Sequence, residues 1–317
     1  MPDRYCELHV HLEGCAWPEF EARWRHRASP LFPPPPAGPG GDRFGWFLAR
    51  LRHAYRLLPD AAAYADLAGV YAARAAAGGI VYAEVQVNLA LLGARGLALQ
   101  DVLPAMNDAV AAVAGAPAVN WVADLPWQFD PAVLRAVADR ADRLYELGVR
   151  AVSLGGRETD ARPDAVAPVL AHVRAAGLAA LCHAGESADA DTARRLVETL
   201  RPDRIAHGLA IADWLEAQGP DAPPVDVCLS SNLDTGAVAT LDRHPLPRWW
   251  RAGVPVSLST DDPAVIGASL ADEYALAARL CPGLVGDPDR RRAHWVRAAA
   301  DPAAATLALT GAPRSGS

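Results

Sequence analysis

Short apolar runs alternate along the chain with longer stretches of helical periodicity. The first run, residues 4–11, reads as a strand. Leu8 and Val10 lie on one side of it and His9 and His11 on the other, because successive strand side chains point to opposite faces. Residues 17–27 read as a short helical piece. Phe47, Leu51, Tyr55 and Leu58 then share one side of a helix over 44–58, and a helix over 61–77 stops at Gly78-Gly79. From there strand and helix repeat. Strands are expected over 80–87, 119–123, 149–154, 178–183, 204–207, 225–229 and 254–259. Helices are expected over 99–113, 131–147, 164–176, 191–200, 211–218, 246–252, 270–280 and 293–309. Strands separated by helices imply a parallel sheet. Eight such units in 317 residues point to an α/β fold of the closed (β/α)8 TIM-barrel kind, with extra helices after strand 1 and at the C-terminus. The Pro- and Gly-rich stretch 30–41 reads as an irregular exposed loop. It lies too close to the N-terminus to divide two domains, so residues 1–317 are expected to form a single barrel.

Composition removes several chemistries. The chain has no lysine, and all 30 basic residues are arginine. Schiff-base catalysis, pyridoxal-phosphate attachment, a carbamylated-lysine metal bridge and a lysine-dependent phosphate loop are therefore excluded. The net charge is −7 with no basic cluster, which argues against a nucleic-acid partner. The 5 cysteines are dispersed and odd in number, as expected of reduced, buried thiols. No apolar run is long enough to span a membrane, and no leader is visible before the first strand, so a cytoplasmic location is expected.

The candidate chemistry gathers at strand ends. His9, His11, His183, His207 and Asp261 all fall at or just past the C-terminal ends of expected strands, the face on which barrel enzymes carry their catalytic groups. Three neutral imidazoles and one carboxylate, from His9, His11, His183 and Asp261, make a coherent set for one zinc ion per chain, and other divalent transition metals also suit it. Glu186 lies three residues past His183, in a loop over the mouth, where a carboxylic acid can donate a proton. His207 and Asp262 remain to orient or deprotonate a water that such a metal activates near neutral pH.

These segments resemble the adenosine deaminase family of metal-dependent barrel hydrolases. Glu7-Leu8-His9-Val10-His11-Leu12-Glu13-Gly14 is similar to its first-strand motif and His183-Ala184-Gly185-Glu186 to its proton-donor motif. Arg204-Ile205-Ala206-His207-Gly208 and Ser257-Leu258-Ser259-Thr260-Asp261-Asp262-Pro263 are similar to its last two catalytic segments. Cys228-Leu229-Ser230-Ser231-Asn232 with Thr235-Gly236 resembles another. The resemblance implies that His9, His11, His183 and Asp261 bind zinc, that Glu186 protonates purine N1, and that His207 and Asp262 handle the attacking water. It also implies that His11, Glu13 and Gly156 meet the substrate, Gly156 through its amide; Glu13 lies two residues beyond His11, so on strand parity it shares the metal-facing side. The implied reaction is hydrolytic deamination of a 6-aminopurine nucleoside, either adenosine or a 5′-modified adenosine-like compound. Adenine itself, or another metal-dependent hydrolysis, is the alternative. The departures lie around the substrate. Gln86 and Asn88 stand where the family usually has arginine and proline, Leu229 where it has proline, and Ser153 and Glu13 where adenosine deaminases have aspartate.

Overall fold

The computed structural model describes residues 4–29, 38 and 41–310. Most of the proline-rich loop therefore lies outside the described residues. Eight parallel strands follow one another in chain order. They are β1 (Tyr5–His11), β2 (Ile80–Asn88), β3 (Ala118–Pro126), β4 (Val149–Gly155), β5 (Ala179–Ala184), β6 (Arg204–His207), β7 (Val225–Val227) and β8 (Val256–Leu258). The ring closes just past β8. The Asp261 carbonyl accepts from the His11 amide at 2.8 Å, and the Asp261 amide donates to the His9 carbonyl at 3.1 Å. This is the α/β barrel that the alternation implies.

Helices Pro18–Trp24, Arg43–Tyr55 and Ala61–Ala77 fill the long β1–β2 connection. The last of them is capped by the Asp60 carboxylate, which accepts from the Ala63 amide at 3.1 Å, and ends at Gly78 as its sequence requires. Two expected helices are broken. The one anticipated over 131–147 divides into Pro131–Ala138 and Ala141–Glu146, with the Arg140 guanidinium bonded to the Ala136 carbonyl at the break. The one anticipated over 293–309 divides into Pro288–Ala298 and Pro302–Thr310, because the residue before a proline avoids helical backbone. Among the described residues, no helix is long and apolar enough to cross a membrane.

The main apolar core lies between the strands and the surrounding helices. It is built from outward positions such as Leu8, Val10, Val85 and Val152. The barrel interior differs: among the described residues it has a small apolar cluster of Val122, Ala151 and Leu181, with Ala179 and Ala300 packed against it. Beside these, inward positions carry charge. Arg204 of β6 is 1% exposed. It pairs with Glu84 of β2 at 2.8 Å and Asp226 of β7 at 2.6 Å. It also donates to the carbonyls of Leu8 at 2.6 Å and Ala298 at 2.5 Å. Glu84 accepts further from Tyr82 Oη and from the Ala300 amide, each at 2.7 Å, and Ser257 Oγ bonds Asp226. Arg204 thus ties β6 to β2 across the interior and to its neighbour β7.

Candidate active site

The C-terminal strand ends meet above this charged interior. His9 Nε2 and His11 Nε2 lie 3.3 and 3.4 Å from Asp261 Oδ1. The nitrogens of His9, His11 and His183 sit within 4.8 Å of one another. The separations from Asp261 are long for hydrogen bonds. They match the roughly 3.3 Å edge of a tetrahedron whose ligands stand about 2.0–2.1 Å from one ion.

Protonation agrees with a metal-holding role. Burial, opposed by the Asp261 charge, drives His11 down to about 3. Burial and the neighbouring histidines put His183 well below the usual range. Both are then neutral donors at physiological pH. Burial would raise Asp261, but its close contact with His9, and the nearness of His207 and His11, outweigh it and set the carboxyl well below its usual range. Ser231 Oγ donates to Asp261 Oδ2 at 2.7 Å, which leaves Oδ1 facing the histidines. The Gln86 amide lies 2.9 Å from His9 Nδ1. Its Oε1 and the Nε2 of His183 are buried without a protein partner. Turning that amide lets Oε1 accept from Nδ1–H, which frees Nε2 for an ion. The residues present therefore fit a divalent metal. Cys228 Sγ also lies within reach of His9 and Asp261, and burial and the Asp261 charge raise its thiol well above the usual range.

Two of the candidate residues stand on strained backbone. His207 and Asp261 have φ of 69° and 65°, left-handed values that cost a non-glycine residue about 1–3 kcal/mol. The strain turns the chain at once after a strand end, so that each side chain stays at the mouth. His207 is fully buried. Its Nε2 lies 3.3 Å from His183 Nδ1 and 3.7 Å from Glu186 Oε2, and its Nδ1 meets the Asn232 amide at 2.9 Å. Burial lowers it to about 4, so it too is neutral. Glu186 lies just past β5. Burial, then the charges of Asp261 and Glu158, push its carboxyl well up, so it keeps its proton where carboxylates normally lose theirs. Burial and the Asp261 charge also raise the Asp262 carboxyl, which makes it the stronger proton acceptor when ionised. Gly14 explains the glycine of the first motif, for a Cβ there would lie 2.0 Å from Asp262 Oδ1.

A cavity of about 380 Å³ opens onto this cluster. His11, His183, Glu186, Asp261 and Asp262 line its floor, with Gly156 to one side. Phe44, Phe47, Leu48 and Leu51 form an apolar wall, interrupted by Arg52. Glu13 is placed differently from its strand-parity reading. β1 ends at His11, and residues Leu12–Cys15 form a turn of 3-10 helix. The Glu13 carboxylate is buried there and accepts from the Asn88 amide at 2.9 Å, and it is Asn88 that lines the cavity. Sequence reasoning placed Ser231, Asn232 and Glu158 in family-like segments without giving them a role, and did not single out Asp226. Asp226, a carboxylate between two valines of a short strand, carried a visible signal, whereas the others meet partners far away in the chain.

Residues 40–291 match the family model for adenosine deaminase. An aminodeoxyfutalosine deaminase of Streptomyces coelicolor is 34% identical over 206 residues, covering 63% of this chain and 53% of that protein. Over those first relatives, the matched chain thus spans about half their length. An adenine deaminase of Sinorhizobium fredii is 29% identical over 306 residues, 92% of this chain and 93% of that one. The crystal structure of an adenine deaminase from Arthrobacter aurescens superposes with a TM-score of 0.81 at 23% identity, covering 96% of this chain and 97% of the other.

Proposed function

Because the chain belongs to the adenosine deaminase family, we propose that it is a zinc-dependent aminohydrolase. Its reaction replaces the amino group of a 6-aminopurine nucleoside by oxygen and releases ammonia. The observation that carries this is Glu186, a buried carboxyl lining the cavity together with His11, His183 and Asp261, beside His9. Those four residues would hold the metal. When bound, it would supply the Lewis acidity that makes water nucleophilic near neutral pH.

The chain's own groups do the rest. The purine enters with its ring against the Gly156 side of the cavity. Glu186 gives its proton to N1, which draws electrons from C6 and makes it electrophilic. Asp262 takes a proton from the incoming water. His207, neutral and held by Asn232, donates a hydrogen bond from Nε2 toward the oxygen and orients it. Once C6 is tetrahedral, the amine takes up the proton held by Asp262 and leaves as ammonia, the hydroxyl proton returns to Glu186, and the 6-oxopurine remains.

The apolar wall and the size of the cavity support a substrate with a substituent beyond the purine ring. A second reading, adenine itself, is supported by the near end-to-end match to an adenine deaminase. Ammonia release from adenosine, a 5′-substituted adenosine and adenine separates the two. We expect turnover of a nucleoside, one zinc per chain by elemental analysis, and loss of activity on chelation with recovery on zinc addition. No release from any aminopurine, or full activity without metal, refutes the proposal.

Glu13 bears on the same choice. By holding the Asn88 amide it sets one wall of the cavity. Glu13→Ala is expected to raise KM for nucleosides by roughly tenfold, the scale of one lost buried hydrogen bond, and to leave adenine nearly unaffected. Steady-state kinetics on the same three compounds checks this, and an equal response from all three removes Glu13 from substrate selection.

A further inference from the structure

Glu158 takes part in no step described above, yet it is fully buried. It lies just past β4, two residues beyond Gly156. Its carboxylate accepts from three consecutive backbone amides on the loop after β5: Gly185 at 2.6 Å, Glu186 at 2.8 Å and Ser187 at 3.0 Å. The Glu158 amide in turn donates to Ser187 Oγ at 3.2 Å. The middle amide of the three belongs to the proton donor. On its other side the turn has no slack. Gly185 holds a φ of 80°, and a Cβ there would lie 2.9 Å from the Ala210 amide nitrogen.

We propose that Glu158 is a positioning residue that fixes the Glu186 turn and couples it to the Gly156–Arg157 side of the cavity. This rests on Glu186 being the acid of the proposed reaction. A carboxylate suits the place because it is acceptor-only and has lone pairs for several donors. Its charge also strengthens each bond to a backbone amide. Glutamine has the same shape, but its NH2 group would confront an amide N–H and leave at least one donor unmet. The two loops are zipped by four hydrogen bonds, all of which involve Glu158. A purine seated against Gly156 therefore meets a proton donor whose position is set from the same loop.

The test is a double-mutant cycle. Glu158→Gln is made in the wild-type chain and in the Glu186→Gln chain, and ammonia release and metal content are measured in all four proteins. Hydrogen–deuterium exchange of the segment 185–187 is followed in parallel. In the wild-type background we expect roughly a 10²-fold fall in kcat, the scale of a misplaced catalytic group, with KM little changed and the metal retained. In the Glu186→Gln background little further loss is expected, because the group that Glu158 positions is already disabled. The segment should exchange faster in both. If Glu158→Gln does not fold, Glu158→Asp, which keeps the acceptor but shortens its reach, is compared in the same two backgrounds. Equal losses in both backgrounds, or unchanged exchange at 185–187, overturns the proposal. If the wild type releases no ammonia from any aminopurine, it is the activity reading that fails, and the exchange arm decides the positioning role by itself.

Discussion

Glu186→Gln is expected to lower the turnover number by about 10² to 10⁴-fold, the usual contribution of a positioned general acid. Metal content and KM should stay near the wild-type values. Glutamine fills the same volume and can still donate a hydrogen bond to N1, but it cannot transfer a proton to it. The carboxyl suits the task because its surroundings keep it protonated. It is buried, and both Asp261 and Glu158 lie close enough to disfavour a further negative charge. Its Oε1 is buried without a protein partner, in a place open to a ring nitrogen. Elemental analysis alongside steady-state kinetics distinguishes the outcomes. A loss of less than tenfold with metal retained would assign protonation of the substrate to another group. A loss of metal would make Glu186 part of the metal site.

Arg204→Met should be the most destabilising single change in the barrel interior. Methionine approximates the length of the side chain but meets none of its partners. Glu84 and Asp226 would be left as two buried carboxylates without their shared cation, and the carbonyls of Leu8 and Ala298 without their donor. Breaking a buried ion pair from one side costs about 3–5 kcal/mol. Thermal unfolding followed by circular dichroism should show the midpoint lowered by roughly 10 °C. Arg204→Lys should recover little of it, because a single ammonium lacks the planar fork that reaches opposite sides at once. A midpoint within a degree or two of wild type would show that the interior carboxylates are satisfied by other means.

Much of this arrangement could be read from the residues. His9 and His11 two apart on a strand, and His183, His207 and Asp261 at later strand ends, identify both the mouth and the groups that meet there. The interior charges were also visible as anomalies, a glutamate in Ile80–Asn88 and an aspartate between Val225 and Val227. Strand parity failed at Glu13 because the strand had already ended, and alternation carries no information past that point. Glu158 was illegible for a different reason. It sits in the segment Leu154-Gly155-Gly156-Arg157-Glu158, in which the family resemblance gives a role to Gly156 alone, and its three partners are backbone amides. A partner that is main chain leaves no mark in the sequence.

The seam that closes the ring also bears on how the protein is made. Ser259 Oγ accepts from the Leu8 and His9 amides, and the second of these contacts spans 250 residues. The first strand therefore leaves the ribosome long before the segment that pairs with its free edge. The Ala298 and Ala300 bonds to the interior ion pair come later still. Until then the nascent chain carries an open edge and an incomplete charged interior, a state prone to wrong pairing. Yield in a recombinant host should thus respond to slower translation, lower growth temperature and chaperone supply far more than the compactness of the finished barrel would suggest.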